Sequence, residues 1–326
     1  MRATYALDVR ASLIVACCTL LVSESQPARG APPGPPAVTH PSVDELQRAF
    51  ARHDPVELER VATRLGAMAL CNIVERGQAP ARRAALVALE LIDGWGGLPL
   101  FPRLVALADR SDTDAALALA IMSSVRRIAE RVPRGELDLD ELPGDLPRAA
   151  VDALAALAAR EDRPAPLRIE ATYALAALAP LVAGAAAKIA ALVGTRDPEV
   201  RRALADALPA SSSVALVRLL TDDGVAVVAA AAASSLCRDV PPPGGERKSD
   251  HRLQRAAELP VAARTRLRAL AIDPTLLEAD RLDVLPCLRA GAQRIDQQKA
   301  DLEVLRTVAR GPDGSLKRRA RAYGGR

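Results

Sequence analysis

The chain has 326 residues, of which 50% are apolar and only 2% are aromatic, and its formal net charge at pH 7 is +4. An apolar content of this size can form a substantial folded core, which excludes a chain that is disordered throughout. Most of the apolar residues are Ala, Leu and Val, and such small side chains favour closely stacked helices over a β-sandwich with an aromatic core.

The distribution of charge argues against a body that binds nucleic acid. Residues 1–30 contain three arginines and two acids, and residues 317–326 contain five basic residues and no acid. Removing both segments from the total of +4 leaves about −2 for the chain between them. A body without basic excess has no charge with which to hold a phosphate backbone, so we expect no nucleic-acid partner.

The first 30 residues predict a signal peptide. Arg2 and Arg10 flank the start, and the apolar run at 11–22 is too short to span a membrane, which takes about 20 residues. Small residues around Gly30 offer a cleavage site, and a Pro-rich spacer follows at 31–44. We therefore expect export from a bacterial cell, to the periplasm or the medium, without a stable membrane span.

The cysteines leave two questions open. The stretch "LIVACC" is similar to a bacterial lipoprotein signal, in which Cys17 would carry a lipid anchor. If the signal is removed, Cys71, Cys237 and Cys287 remain, and three thiols in an oxidising compartment allow one disulfide and one thiol left over. The sequence favours the simpler alternative, in which all three are small residues buried in helices.

From residue 45 to 237 the chain repeats one pattern, which is clearest in "GTRDPEVRRALADAL" at 194–208. Asp197 is predicted to cap a helix that begins at Pro198, because its carboxylate can accept a backbone N–H bond and proline loses no useful donor there. Val200, Leu204 and Leu208 then form one apolar stripe. A second helix follows after "SSS" and ends at the acidic turn "TDDG".

The same pattern recurs earlier and later in the chain. The positions that align with Val200 and Arg201 are Leu167 and Arg168 in "PAPLRIEATYALAAL" and Ala81 and Arg82 in "APARRAALVALEL". "LPVAARTRLRALAI" at 259–272 aligns more loosely, as another first helix of a pair. Helix pairs that recur every 25–35 residues or so predict an all-α fold, an α-solenoid.

The pattern "D-P-E-V-R-x-A-L-x-A-L" resembles the HEAT repeat, in particular the short bacterial form that is also called phycobilisome-lyase-like. The resemblance implies structural roles for two residues: Asp197 caps its helix, and Arg201 packs on or bonds to the neighbouring repeat. It covers residues 45–237 well. After a Pro- and Gly-rich linker at 238–251, the segment 252–311 resembles it only as degenerate repeats, and 312–326 is expected to be a solvated basic tail.

The sequence contains few residue patterns that are typical of catalysis, cofactor binding or metal binding. The only histidines are His40, His53 and His251, and the sequence contains no C-x-x-C, H-E-x-x-H, phosphate-binding glycine loop or G-x-S-x-G turn. The acids Asp222 and Asp223 fall in the turn that the repeat predicts. We therefore expect no catalytic residue, no cofactor and no metal site.

Two groups of residues allow a functional interpretation as well as a structural one. Arg126 and Arg127 are predicted to lie on a solvated helix face and could instead form an anion site. Trp95 and Phe101 lie in the unusual stretch "DGWGGLPLFPRL" and either fill the gap beneath a turn or anchor a protein partner, because interface hot spots favour Trp.

The sequence thus favours a non-enzymatic, exported scaffold that binds an unknown protein through stacked helices. One alternative is a lipid-anchored envelope protein with the same fold. The other follows from the resemblance, since HEAT-like proteins include lyases and a family of DNA glycosylases. The charge of the body, the expected export and the scarcity of aromatic residues disfavour it.

Overall fold

The computed structural model describes residues 41–91, 98–132, 146–182, 184–209, 212–238, 240, 256–292, 298–312 and 314–324. The signal peptide, the spacer up to residue 40 and most of the linker, including Cys17, His40, Trp95 and His251, lie outside these residues. The chain divides into two compact units, Met1–Ala183 and Gly184–Arg326. The described residues form sixteen α-helices, one short 3-10 helix and no β-strand.

Eight of these α-helices lie in the described part of the first unit. They are α1 (Pro41–Ala51), α2 (Pro55–Leu65), α3 (Ala67–Arg76), α4 (Ala79–Leu91), α5 (Phe101–Ala108), α6 (Ala115–Arg131), α7 (Leu146–Ala159) and α8 (Ala165–Leu178), with the 3-10 helix at Leu98–Leu100. Neighbours in sequence pack as pairs, and helices two apart also pack: α4 on α6, α6 on α8, and α5 on α7. We call α4, α6 and α8 the first layer of this unit, and α5 and α7 its second layer.

The second unit repeats this arrangement. Its helices are α9 (Ala185–Leu192), α10 (Pro198–Ala207), α11 (Ser213–Asp222), α12 (Ala226–Cys237), α13 (Val261–Ile272), α14 (Glu278–Gly291), α15 (Gln298–Ala309) and α16 (Ser315–Ala322). The first layer is α10, α12, α14 and α16, and the second is α11, α13 and α15, each packed on the next. The predicted all-α fold of helix pairs stacked as an α-solenoid is confirmed.

Local signals explain where several helices begin. Asp54, Asp114 and Asp197 each precede a helix and accept a bond from a backbone N–H of its first turn, at 3.0, 3.1 and 2.9 Å. Pro55 and Pro198 are the first residues of their helices. Each cap satisfies one of the donors that a helix start leaves unpaired, which fixes the chain direction between helices.

Packing of the second unit differs from the sequence interpretation in one respect. The helices beyond residue 256 continue the stack, because α14 packs on α12 and α13 packs on α11. The helix at 261–272, predicted to be a first helix of a pair, therefore lies in the second layer. Arg264 occupies the position of the motif arginine in this helix, which is why the sequence pattern predicted a first helix. The true first-layer helix, α14, resembles the repeat only weakly and has Pro286 inside it.

The C-terminal segment also differs from its prediction as a solvated tail. Residues 315–322 form α16, whose Leu316 and Ala320 are buried together with Tyr323 just beyond the helix. These residues recur at the helical spacing of four and three, so they form an apolar stripe that packs on α14 and α15. None of the helices among the described residues is long and apolar enough to cross a membrane.

Candidate functional site

The repeat motif at 194–208 lies at a junction between two helix pairs of the second unit. Asp197 accepts a bond from the Glu199 N–H at the start of α10. Val200 and Leu204 are fully buried and Leu208 is 1% exposed. The apolar stripe thus faces the core, and the polar residues of the motif lie at the helix start.

Arg201 is the central side chain of this junction. Its guanidinium donates to the carbonyl oxygens of Thr195 and Arg196, at 2.7 and 2.9 Å, in the turn before α10. It also donates to Asp223 in the turn before α12, with Nε–Oδ2 at 2.5 Å and Nη2–Oδ1 at 3.2 Å. Asp223 in turn accepts from the Val225 N–H at 2.9 Å. One arginine therefore connects two successive inter-helix turns.

A cleft of about 250 Å³ opens beside this junction. The cleft is lined by the turn at 193–195, by Arg201 and Arg218, and by the acids Asp222 and Asp223. Asp223 is held by Arg201, and Asp222 accepts from the Thr221 hydroxyl at 2.6 Å. Both acids thus have partners in their own turn, and the cleft presents no base aligned with a nucleophile.

The aligned arginines have related backbone partners. Arg168 is 3% exposed and donates from Nε to the Ala158 carbonyl at 3.1 Å, and Arg82 donates to the Glu75 carbonyl at 3.1 Å. In both cases the acceptor lies at the C-terminal end of the preceding helix, where carbonyls have no partner within their own helix and the helix dipole is negative. Leu167 beside Arg168 is buried. Arginine near the start of these helices therefore links each pair of helices together.

A buried acid in the first unit was missed by the sequence interpretation. Glu90, near the end of α4, is 5% exposed. Its carboxylate accepts from the Ser124 hydroxyl at 2.6 Å and from Arg127 at 3.0 and 3.1 Å, while Arg131 donates to its backbone carbonyl. Burial raises the pKa of Glu90 above its ordinary value, although Arg127 and Ser124 act in the opposite direction. The only sign in the sequence was one acid inside the apolar run "LVALELI".

The paired arginines of α6 do not form a solvated face. Arg127 binds Glu90, as described above, and Arg126 lies 4.1 Å over the Tyr173 ring of α8. Arg126 also pairs with Glu130 at 2.7 Å and with Glu170 at 3.5 Å. These arginines therefore join α6 to its neighbours α4 and α8 in the first layer, because acids and an aromatic ring from those helices face them.

The second unit contains a buried charge cluster of a similar kind. Arg264 and Asp301 are fully buried and 3.3 Å apart, and Arg268 donates to Asp301 at 2.6 Å. Arg264 also donates to the Cys287 carbonyl at 2.7 Å. Burial raises the pKa of Asp301, against the effect of the two arginines. The cluster connects α13, α14 and α15.

Cys237 and Cys287 form a disulfide between α12 and α14, with their Cα atoms 5.5 Å apart. Cys71 is a buried free thiol, and burial raises its pKa. The alternative with one disulfide and one remaining thiol thus holds here, and the one with three unpaired cysteines is wrong. The sequence could not identify the pair because the two cysteines are 50 residues apart.

The two proposed anchor residues have different outcomes. Phe101 is fully buried at the start of α5, so it fills the core and is not accessible to a partner. Trp95 lies outside the described residues. Within the described part of the chain, no group of three His, Cys, Asp or Glu side chains could hold a metal ion.

Comparisons with known proteins find similarity to solved structures. No protein-family model matches the chain, and no curated protein matches it in sequence. A solved structure of human deoxyhypusine hydroxylase in complex with glycerol matches with 17% identity over 98% of each chain, at a TM-score of 0.24.

Proposed function

We propose that this protein is an exported, non-enzymatic scaffold of HEAT-like repeats that binds another protein through its stacked helices. One observation carries the proposal: the arginine and acid side chains of the repeat motif are used to hold successive turns together, as Arg201 does with Asp223. In the HEAT repeat that the motif resembles, such residues have structural roles. Residues with this structural role fix the spacing of helix pairs, and the surface between the junctions remains available to bind a partner protein.

The second layer of the second unit is the surface that we assign to the partner. Val214 on α11 and Val261 on α13 are 77% and 73% exposed, and both lie in the first turns of helices that pack against each other. Leu277, in the turn before α14, is 71% exposed. By comparison, most residues of the first-layer helix α12 are buried. Exposed apolar side chains on adjacent helices favour a protein partner.

Site-specific photo-crosslinking tests this assignment. A photoreactive residue at Val214 or Val261 should capture one defined protein in cells, whereas the same residue at Glu199, an exposed position on first-layer helix α10, should not. Equal capture from both layers would contradict the assigned face. Persistent absence of any captured protein would contradict the scaffold function.

Export is supported by the Cys237–Cys287 disulfide, since disulfides persist in oxidising compartments. Mass spectrometry of the mature protein tests it directly. We expect an N-terminus near residue 31 in the exported fraction. A lipid-modified N-terminus at Cys17 would indicate the anchored alternative, and an intact Met1 in the cytosol would contradict export.

A further inference from the structure

The C-terminal helix α16 carries an exposed basic face. Arg318 and Arg321 are exposed, as is Arg319, and the helix sequence "SLKRRARA" contains no acid. From Arg306 to the C-terminus the chain has seven basic residues and one acid. The whole chain has a net charge of only +4, so positive charge is concentrated at this end of the second unit.

Tertiary contacts hold α16 in one orientation. Leu316, Ala320 and Tyr323 are buried against the unit, and the Glu278 carboxylate accepts a bond from the Leu316 N–H at 2.9 Å. The Tyr323 hydroxyl accepts from Arg319 at 3.1 Å. These contacts secure the apolar side of the helix, and the opposite side presents its arginines outward in a fixed arrangement.

The arginines of this face differ from those that join neighbouring helices. Arg127, Arg201 and Arg268 each pair with a buried or nearly buried acid. Arg318 and Arg321, by contrast, form no salt bridge with any residue that the structure describes. Arg306 on α15, which packs against α16, is also exposed, and so is Arg310 just beyond the end of α15. Glu278, which caps the start of α16, is the nearby acid on which the charge of Arg318 acts, so positive charge exceeds negative charge on this face.

We propose that the basic face of α16 binds the anionic headgroups of a phospholipid membrane and holds the protein at that surface. Clustered Lys and Arg residues near an anionic bilayer each contribute to electrostatic attraction, and α16 with its neighbours presents several of them. The exposed residues of α16 include no aromatic ring on which a nucleic-acid base could stack and no large apolar side chain that would anchor a protein. An exposed charged face of this composition favours a lipid surface over either macromolecule.

This inference goes beyond the proposed scaffold function and depends on neither export nor the protein partner. It is tested by sedimenting the full chain with vesicles of phosphatidylcholine, with or without about 30% phosphatidylglycerol. We expect binding to the anionic vesicles only, with affinity that falls as salt is raised. The Arg318→Glu and Arg321→Glu double variant should lose at least about tenfold in affinity.

Two matched variants separate this surface from net charge and from folding. The double variant Arg52→Glu and Arg83→Glu changes net charge equally at exposed positions of the first unit and should keep its affinity. Arg318→Lys with Arg321→Lys should also bind, because lipid headgroups require charge and not a particular donor geometry. Circular dichroism and thermal unfolding should be equal among the variants.

The proposal would be overturned by equal binding to both kinds of vesicle, or by an equal loss of affinity in the first-unit control. Unchanged binding of the α16 charge-reversal variant would also overturn it. So would a clear preference for poly-aspartate or duplex DNA over anionic vesicles at the same concentration of negative charge, because the partner would then be an acidic protein or a nucleic acid.

Discussion

Arg201 and Asp223 are 22 residues apart in sequence and form a two-point ion pair that joins the first turn of α10 to the turn before α12. The side chains are 14% and 3% exposed, so water screens the pair only weakly. The same guanidinium binds two carbonyl oxygens of its own turn. Bonds to backbone carbonyl oxygens just before the helix recur at the aligned Arg168 and Arg82, and the ion pair with Asp223 is added to them at Arg201.

Replacing Arg201 with Ala should lower the free energy of unfolding by about 3 kcal/mol, because Asp223 would remain buried without its partner. Arg201→Lys should recover only part of this loss, since an ammonium group cannot form the two-point geometry. A double-mutant cycle with Asp223→Ala in chemical denaturation measures the pair. A coupling energy near zero would contradict its role.

Replacing Asp197 with Ala should cost about 1 kcal/mol of stability and leave partner binding unchanged, because only the cap of α10 is lost. Asp197→Asn is the control, since an asparagine side chain can cap equally well. Denaturation and crosslinking would be measured on the same samples. Loss of binding with unchanged stability would show that Asp197 belongs to a functional site.

Glu90 should make stability depend on pH in a defined direction. Burial raises the pKa of Glu90 in the folded state, so its contribution is fully present below the pKa of the unfolded chain and is lost as pH rises through the folded value. The stability of the wild type relative to Glu90→Gln should therefore fall as pH rises above about 4, the ordinary pKa of a glutamate. Thermal unfolding across this range measures the difference, and a rising difference would mean that Arg127 outweighs burial.

The Cys237–Cys287 disulfide should stabilise the second unit by about 4 kcal/mol, because it closes a loop of 50 residues in the unfolded chain. Adding a reductant should lower the unfolding midpoint of the wild type by a corresponding amount. The double variant Cys237→Ala and Cys287→Ala should respond to reductant no further. An equal response in both proteins would show that the bond does not contribute.

Gly291→Ala should destabilise the protein by about 2 kcal/mol or more. A Cβ atom at this position would collide with the side chains of Arg264 and Asp301, which are fully buried and cannot move aside without exposing charge. Gly194→Ala is the matched control, because its Cβ would meet only the Ala191 carbonyl, at an ordinary 3.6 Å. Equal stability of the two variants would contradict tight packing around the buried cluster.

Features that depend on residues close together in sequence could be predicted without a structure. The cap at Asp197, the helix start at Pro198 and the buried stripe from Val200 to Leu208 depend on neighbours within about two helical turns, so their signals are contiguous in sequence. The pairing of Glu90 with Arg127 spans 37 residues. No local pattern specifies such a partner when the repeat length is irregular.

The C-terminal half illustrates the same division. The helical periodicity of this half could be predicted from its sequence. The layer that each helix joins depends on which surfaces pack together, and contacts such as the disulfide between α12 and α14 decide this. The basic tail had the composition of a solvated segment, and three buried residues were sufficient to dock it as α16.

By itself the sequence determined the fold class, the caps and the inward-facing residues, because helix formation and amphipathic burial follow from residue types at short spacing. Only the tertiary structure decided which charges are paired, which cysteines are joined and which arginines face outward. Those outcomes depend on side chains far apart in sequence, whose free energies are set by burial and by the partner that packing brings within a few ångströms.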